Sequence, residues 1–253
     1  MKKMYGMLLL CAFLIGGIYC WLSPPFIYKT VTKQALYIKT LSLLNHNPSC
    51  DKAYLTWIDD DSGEGIFQVK SICDSLRIPA VFAAITAQMP DSIKTSLLRF
   101  HEEGFQVVSH SANHLHWKNL SRHEISREIS DSFFMLDSLG FKNSHYIVVP
   151  FSENTSVIRN IVKSKSGYMI TGAPVSNDSR KQFMLGRIFI TKETEVEDMK
   201  EFLKECFFHH QWVILSTHSS NQDEFDYKKT FEIMKFAKDC HYSFTTLEAI
   251  SSN

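Results

Sequence analysis

Histidines stand close together in the stretch SHSANHLHW, residues 109–117, and their spacing could hold a metal ion. His110 and His114 are four residues apart, so one helical turn or a tight loop can aim both imidazoles at one point. Zinc binds such nitrogens together with a carboxylate, and a catalytic zinc site keeps one position for water. Ser111 stands where the HExxH zinc proteases carry their glutamate, so that mechanism is excluded.

Carboxylates and a further histidine also stand at the ends of apolar runs, as His110 does. Asp59, Asp60 and Asp61 directly follow one apolar run, and His218 directly follows another, WVILST. A carboxylate can complete a metal site or act as a general base, and a histidine can deliver a proton near neutral pH. Each feature alone is an ordinary turn or strand end. We expect the whole set to be functional, because no rule of packing requires it.

Short apolar runs alternate with longer amphipathic stretches along almost the whole chain. This pattern is typical of parallel strands joined by crossover helices, and it predicts an α/β sheet or a (β/α) barrel. Strands are predicted at 53–58, 79–85, 105–110, 145–151, 168–171, 186–191, 212–218 and 242–247. Helices are predicted at 65–76, 92–104, 123–140, 156–167, 194–209 and 226–240. Such barrels carry their chemistry at the C-terminal ends of the strands, where the aspartates and histidines stand.

The composition is that of a globular chain with an apolar N-terminus. The 253 residues are 44% hydrophobic, and 27 basic residues balance 27 acidic ones, so nothing indicates a nucleic-acid partner. Lys2 and Lys3 precede an uncharged run from Met4 to Leu22, close to the ~20 residues that span a bilayer. We therefore expect the protein to be exported or membrane-anchored, with its domain outside the cytoplasm in the cell envelope. The predicted organisation is a signal peptide or membrane anchor (1–25), a connecting segment (26–51) and one α/β domain (52–253).

The order of these motifs resembles the polysaccharide deacetylases of carbohydrate esterase family 4, the NodB-homology domain. The matching features are Asp-Asp after the first strand, His-Ser-x-x-His within GFQVVSHSANHLHW (104–117), Pro-Phe at 150–151 and a histidine after a late strand. The second feature is the most specific, and the resemblance extends over the domain predicted above. It implies a distorted (β/α) barrel of the NodB type and a divalent metal, expected to be zinc. It also implies hydrolysis of N-acetyl groups on an acetylated polysaccharide.

The resemblance implies a role for each matching residue. Asp59 corresponds to the general base, and Asp60 corresponds to the carboxylate that binds the metal. His110 and His114 correspond to the two histidine ligands.

Two further motifs complete the implied machinery. Pro150-Phe151 matches the motif in which a backbone N–H stabilises the oxyanion, and His218 matches the general acid. Amide hydrolysis needs an activated water, a polarised carbonyl and a proton for the leaving amine. A metal with a base, an acid and an oxyanion donor meets these needs.

The chain departs from the family pattern at three places, of which one is the family's Asp-Trp motif, for which Asp178 is a candidate without a clear match. The family usually has glycine after the paired aspartates, where this chain has Asp61, so a shifted register stays open, with Asp60 as base and Asp61 as ligand. The arginine that usually orients the catalytic aspartate is replaced by Val148. Arg187, at the start of GRIFIT, is a candidate for the orienting role.

Two other interpretations stay open. The first is a non-catalytic relative that binds glycan or supports polysaccharide assembly, which Val148 favours and the presence of Asp59 and His218 opposes. The second is a different metal hydrolase, because His114-Leu-His116 is an HxH motif. In those hydrolases, however, the HxH follows an early strand, whereas here it follows the third predicted strand.

Overall fold

The computed structural model describes residues 51–141, 145–165, 167–172, 177 and 183–248. Its strands are β1 (Tyr54–Asp59), β2 (Val81–Ala84), β3 (Gln106–Ser109), β4 (Tyr146–Val148), β5 (Tyr168–Thr171), β6 (Met184–Gly186), β7 (Ile188–Phe189), β8 (Trp212–Thr217) and β9 (Ser243–Phe244). Its α-helices are α1 (Ile66–Leu76), α2 (Asp91–Glu102), α3 (Arg122–Leu139), α4 (Ser156–Ser164), α5 (Val196–Phe208) and α6 (Tyr227–Asp239).

The strands form one parallel sheet that curls into a nearly closed barrel. The hydrogen-bonded order is β6-β5-β4-β3-β2-β1-β8-β7, and β9 pairs with the start of β1. β6 and β7 lie at opposite ends of this order, but only Arg187 separates them along the chain. The sheet must therefore curl until its two edges approach each other. The predicted (β/α) barrel of the NodB type is confirmed.

Side chains of each strand alternate between the barrel interior and the surrounding helices. Ile58, Val108 and Ile214 pack together inside the barrel. Trp57 and Leu215, one position away along β1 and β8, pack outward with residues of the helices. Both faces of these two strands are therefore buried, as expected for parallel strands covered by helices.

Local capping signals define α3, the helix that supports one side of the site. Ser121 and Glu124 form a capping box at its N-terminus, where each side chain bonds the other residue's backbone N–H. Gly140 ends the helix in the left-handed conformation, with φ of 94°, which favours glycine. The helix predicted at 123–140 is thus found at Arg122–Leu139.

The predicted strand at 186–191 is wrong as a single element. Gly186 ends β6 and Ile188 begins β7, so the chain passes from one edge of the barrel to the other at Arg187. One continuous strand cannot pair with both β5 and β8. Arg187 therefore lies at the seam of the barrel, where the two edges of the sheet approach each other.

The N-terminal predictions concern residues outside the described part of the chain, which begins at Asp51. The signal or anchor segment and the connecting segment therefore stay predictions. Within the described ranges, no helix is long and apolar enough to cross a membrane.

Candidate active site

The C-terminal ends of β1, β3 and β8 bring three polar side chains to one mouth of the barrel. Asp60 comes two positions after Ile58, His110 two positions after Val108, and His218 four positions after Ile214. These three apolar residues face the barrel interior, so strand alternation directs the polar side chains inward as well. Asp60 Oδ2 lies 3.8 Å from His110 Nε2 and 3.4 Å from His218 Nε2. The strand ends thus meet where the sequence predicts.

A candidate metal centre lies beside these groups. Asp61, His110 and His114 offer ligand atoms that all lie within 4.8 Å of one another. Asp61 Oδ1 is 3.3 Å from His110 Nε2 and 3.8 Å from His114 Nε2. Among the described residues this buried oxygen has no hydrogen-bond partner. A buried carboxylate oxygen without a donor, facing two imidazole nitrogens, fits a divalent cation.

The backbone of β4 orients one of the two histidines. His110 Nδ1 lies 2.7 Å from the carbonyl oxygen of Val148. A carbonyl only accepts, so Nδ1 carries the proton, and Nε2 keeps a free lone pair directed towards Asp61. Val148, which the resemblance aligns with the family's motif arginine, thus supports a histidine of the candidate metal centre through its backbone.

Helix α3 holds the loop that carries both histidines. The buried carboxylate of Glu128 accepts hydrogen bonds from Asn113 N at 2.9 Å and from Asn113 Nδ2 at 2.7 Å. Ser111 Oγ accepts from His114 N at 2.9 Å, and Ser111 and His114 both have positive φ, 69° and 56°. This tight loop brings the second imidazole back over the first. Sequence reasoning missed Glu128, because a glutamate in an amphipathic helix gives no signal.

Arg187 forms a buried ion pair with Asp60. Its Nη1 donates to both carboxylate oxygens, each at 2.5 Å, and to Ser216 Oγ at 2.9 Å. Burial alone would raise the pKa of Asp60, but the Arg187 guanidinium outweighs burial and holds that pKa well below its usual range. Asp60 is therefore ionised at neutral pH. The candidate orienting arginine thus contacts Asp60 and not Asp59.

His218 lies between two carboxylates. Its Nε2 faces Asp60, and its Nδ1 is 2.9 Å from Glu224 Oε2. The ring stacks on Phe189, with centroids 5.2 Å apart and planes 11° apart. Burial lowers the pKa of His218, but the effect of Asp60 is opposite and larger, so the pKa is raised to about 9. His218 can therefore carry a proton at neutral pH. Glu224 was not predicted, because nothing in its polar turn distinguishes it.

The profile of the polysaccharide deacetylase family matches residues 45–169, which include the three aspartates and both histidines of the cluster. This part of the chain belongs to the polysaccharide deacetylase family. A comparison with curated proteins finds no match.

Solved structures with this deacetylase fold resemble the chain at low sequence identity. The chitin deacetylase from Colletotrichum lindemuthianum is 15% identical with a TM-score of 0.62, over 81% of this chain and 88% of that chain. A family 4 acetyl xylan esterase from Clostridium thermocellum, in complex with a cobalt ion, is 15% identical with a TM-score of 0.61, over 79% and 90%. BA3943 from Bacillus anthracis, a CE4 family pseudoenzyme, is 13% identical with a TM-score of 0.53, over 76% and 63%. These similarities show a shared fold.

The three aspartates of this polysaccharide deacetylase domain have different surroundings from those that the resemblance implied. Asp59 faces outward and is fully buried, Asp60 faces Arg187, and Asp61 joins the histidine pair. The cause is strand alternation, which directs Asp60 inward and Asp59 outward. Asp61, with φ of 70°, leaves the strand and turns back over the mouth. The geometry favours the shifted register, with Asp60 as base and Asp61 as ligand.

Asp59 lies against the end of β8 instead of the cluster. It accepts hydrogen bonds from Thr217 Oγ1 at 2.7 Å, Ser219 N at 3.0 Å and Ser219 Oγ at 2.5 Å. Burial raises the pKa of Asp59 to about 7, although these hydrogen bonds lower it. Because both oxygens of Asp59 accept hydrogen bonds and its side chain is fully buried, Asp59 is poorly placed to act on a water at the candidate metal centre.

The Pro150-Phe151 motif forms part of the rim. Pro150 is buried, and Phe151 is half-exposed with φ of 52°. The Phe151 ring lies 4.6 Å from the His114 ring and stacks on His116 at 3.5 Å between centroids. His116 Nδ1 is 2.9 Å from Glu153 Oε1, so His116 belongs to the rim and not to the metal cluster. The oxyanion role of the Phe151 N–H stays a prediction.

Arg187→Met is expected to destabilise the protein and to shift the acidic side of the pH profile of its turnover. Removing one partner of a buried ion pair costs roughly 3–5 kcal/mol. Asp60 has a depressed pKa in the folded state, so its pairing stabilises the protein above the unfolded pKa and loses that effect as pH falls through the folded pKa. The loss should therefore be largest near neutral pH. Without the guanidinium the pKa of Asp60 rises, so the acid limb of turnover should move to higher pH.

Denaturant unfolding at several pH values and a pH profile of turnover measure both effects. Arg99→Met is a matched control, because the Arg99 side chain is 65% exposed and its contact with Glu103 is long, at 3.9 Å. If Arg187→Met matched this control in both measurements, the Asp60–Arg187 pair would have no part in stability or in proton transfer.

Proposed function

We propose that this chain is a metal-dependent hydrolase that removes N-acetyl groups, of the N-acetylglucosamine type, from a cell-envelope or extracellular polysaccharide. The observation that carries this proposal is the arrangement around Asp60. This carboxylate lies 3.8 Å from a histidine of the candidate metal cluster and 3.4 Å from Nε2 of His218, whose pKa it raises. A base and an acid therefore adjoin the same cluster, as hydrolysis of an amide requires.

Three residues would hold the metal: Asp61, His110 and His114. We propose zinc, because one carboxylate and two imidazoles are typical ligands of catalytic zinc. A divalent ion bound there supplies Lewis acidity that polarises the acetyl carbonyl and lowers the pKa of water.

The side chains around the cluster perform the proton transfers. Asp60 takes a proton from the attacking water, and Arg187 keeps the Asp60 carboxylate oriented and ionised. The water oxygen bonds to the carbonyl carbon, and the C–N bond breaks as His218 donates its proton to the amine nitrogen. The products are acetate and a free amine on the sugar. Each general acid or base contributes roughly 10²–10⁴-fold to the rate.

A non-catalytic glycan-binding or assembly role is the second candidate function. Val148 favours it, because the family's motif arginine is missing from that position. The BA3943 pseudoenzyme also shares the fold, so the fold by itself does not require activity. Against this candidate, Arg187 reaches Asp60 from the seam and supplies a guanidinium to the proposed base.

Acetate release by the full chain in detergent tests the proposal. We expect release from N-acetylated chitooligosaccharides or peptidoglycan fragments, loss of release after a chelator removes metal, and recovery when zinc is restored. O-acetylated xylan tests whether esters are preferred to amides. If metal-loaded protein binds a glycan but releases no acetate from any of these substrates, the non-catalytic function is correct.

We also propose that residues 1–25 hold the domain at a membrane or carry it across one. The support is the uncharged run from Met4 to Leu22 behind two lysines. Cell fractionation tests this: full-length chain, uncleaved and confined to the cytosolic fraction, would contradict it.

A further inference from the structure

Asp59 is a fully buried carboxylate to which the proposed mechanism gives no role. A buried carboxylate is costly unless hydrogen bonds compensate it. Here three donors do so, and they belong to the last residue of β8 and the segment just after it: Thr217 Oγ1, Ser219 N and Ser219 Oγ. These two residues flank His218 on either side.

The contacts around Asp59 form a connected set between β1 and the segment that carries His218. Trp57 Nε1 donates to Thr217 Oγ1 at 3.0 Å, and the Asp60 N–H donates to the Thr217 carbonyl at 2.8 Å. The chain after the aspartates packs against the same segment. A Cβ on Gly65 would lie 2.2 Å from the Ser219 carbonyl carbon, so only glycine fits there.

We propose that Asp59 is a positioning residue, whose three hydrogen bonds fix the Thr217–Ser219 segment and so hold His218 at its place beside Asp60. The inference rests on the proposed function, in which His218 donates a proton. Asp59 precedes the proposed base in the chain and bonds both neighbours of the proposed acid. One buried carboxylate thereby sets the distance between the two groups that transfer protons.

The geometry explains why an outward-facing carboxylate affects an inward-facing histidine. Residues 217 and 219 share the outward side, and 218 points to the mouth. Because Asp59 fixes both outward side chains, the backbone between them has little freedom. The contacts on the outward side therefore determine the direction of the His218 imidazole. Misplacing a reacting group by about 1 Å can cost about 10²-fold in rate.

Three variants of the full chain test the proposal: Asp59→Asn, Asp59→Ala and Ser219→Ala. Asparagine can accept from Thr217 and from the Ser219 N–H, and its amide can donate to Ser219 Oγ, so Asp59→Asn should keep turnover within about fivefold of wild type. Asp59→Ala should lower kcat by about 10²-fold, while KM and bound zinc stay near the wild-type values. Ser219→Ala, which removes one of the three bonds, should fall between them.

The position of His218 can be measured without any activity. Ring signals of histidine-labelled, zinc-loaded protein, with the His218 signal identified by its loss in His218→Gln, should move in Asp59→Ala and Ser219→Ala but not in Asp59→Asn. Thermal unfolding shows whether each variant is folded. If wild type releases no acetate but these signals behave as expected, the proposed function fails and the positioning role stands.

Two results would overturn the inference. An unmoved His218 signal in folded Asp59→Ala and Ser219→Ala would show that Asp59 does not position the ring. Equal and complete loss of turnover in Asp59→Asn and Asp59→Ala would instead identify Asp59 as the base, because only a proton acceptor is eliminated by both changes.

Discussion

Replacing Asp60 with asparagine is expected to lower acetate release by about 10²–10⁴-fold while the protein keeps its metal. The amide cannot accept the proton from the attacking water. Asp61, His110 and His114 are unchanged and still offer three ligand atoms for the metal. The measurements are kcat for acetate release and bound zinc per chain. Because the change also leaves Arg187 without its carboxylate, thermal unfolding should be followed on the same samples.

Asp59→Asn is the matched control for this prediction, since it makes the same chemical change one position earlier on the outward face of β1. We expect it to keep turnover within about fivefold of wild type and to keep its bound metal. The opposite pattern, with Asp59→Asn inactive and Asp60→Asn depleted of zinc, would restore the roles that the family resemblance implied. The two variants therefore decide the register of the aspartates in one experiment.

His110→Ala is expected to remove the metal itself and acetate release with it. His110 Nε2 is the cluster atom nearest to Asp61 Oδ1, at 3.3 Å, and its orientation is set by the Val148 carbonyl. Loss of an outer partner of a metal ligand typically costs roughly 10–100-fold in affinity, so loss of a direct ligand should cost more. Zinc titration measures the affinity, and zinc should also stop protecting the variant against thermal unfolding.

His116→Ala provides the control, because it removes a nearby imidazole that lies outside the cluster. His116 bonds Glu153 and stacks on Phe151, so zinc affinity should stay close to that of wild type. If His116→Ala lost zinc as completely as His110→Ala, the HxH pair would be a metal motif and a different class of metal hydrolase would be favoured.

The barrel could be predicted because its signals are local. Alternation of apolar runs with amphipathic stretches recurs along the chain. The two ends of α3 are marked by Ser121 and Gly140, which are its immediate neighbours in the sequence. The prediction failed at 186–191, where the element boundary depends on which sheet edge each residue joins. That choice is made by hydrogen bonds to β5 for one segment and to β8 for the other, and these strands lie outside the segment itself.

The members of the site could also be found from the sequence, since each directly follows an apolar strand. Parallel strands end at the same mouth of a barrel, so Asp60, His110 and His218 were expected together. Glu128 and Glu224 could not be found, because glutamate is common in amphipathic helices and polar turns and no spacing marks these two.

The sequence by itself determined that an acidic triplet and three histidines would share one rim, but tertiary structure decided what each aspartate faces. In a half-buried strand, polar and apolar residues alternate and reveal the inward side. Both faces of β1 are buried, one by the barrel interior and one by helices, so Trp57 and Ile58 are alike in apolar character. Only closure of the barrel assigns Ile58, and therefore Asp60, to the interior. The same closure brings Arg187, 127 positions later in the chain, to that carboxylate.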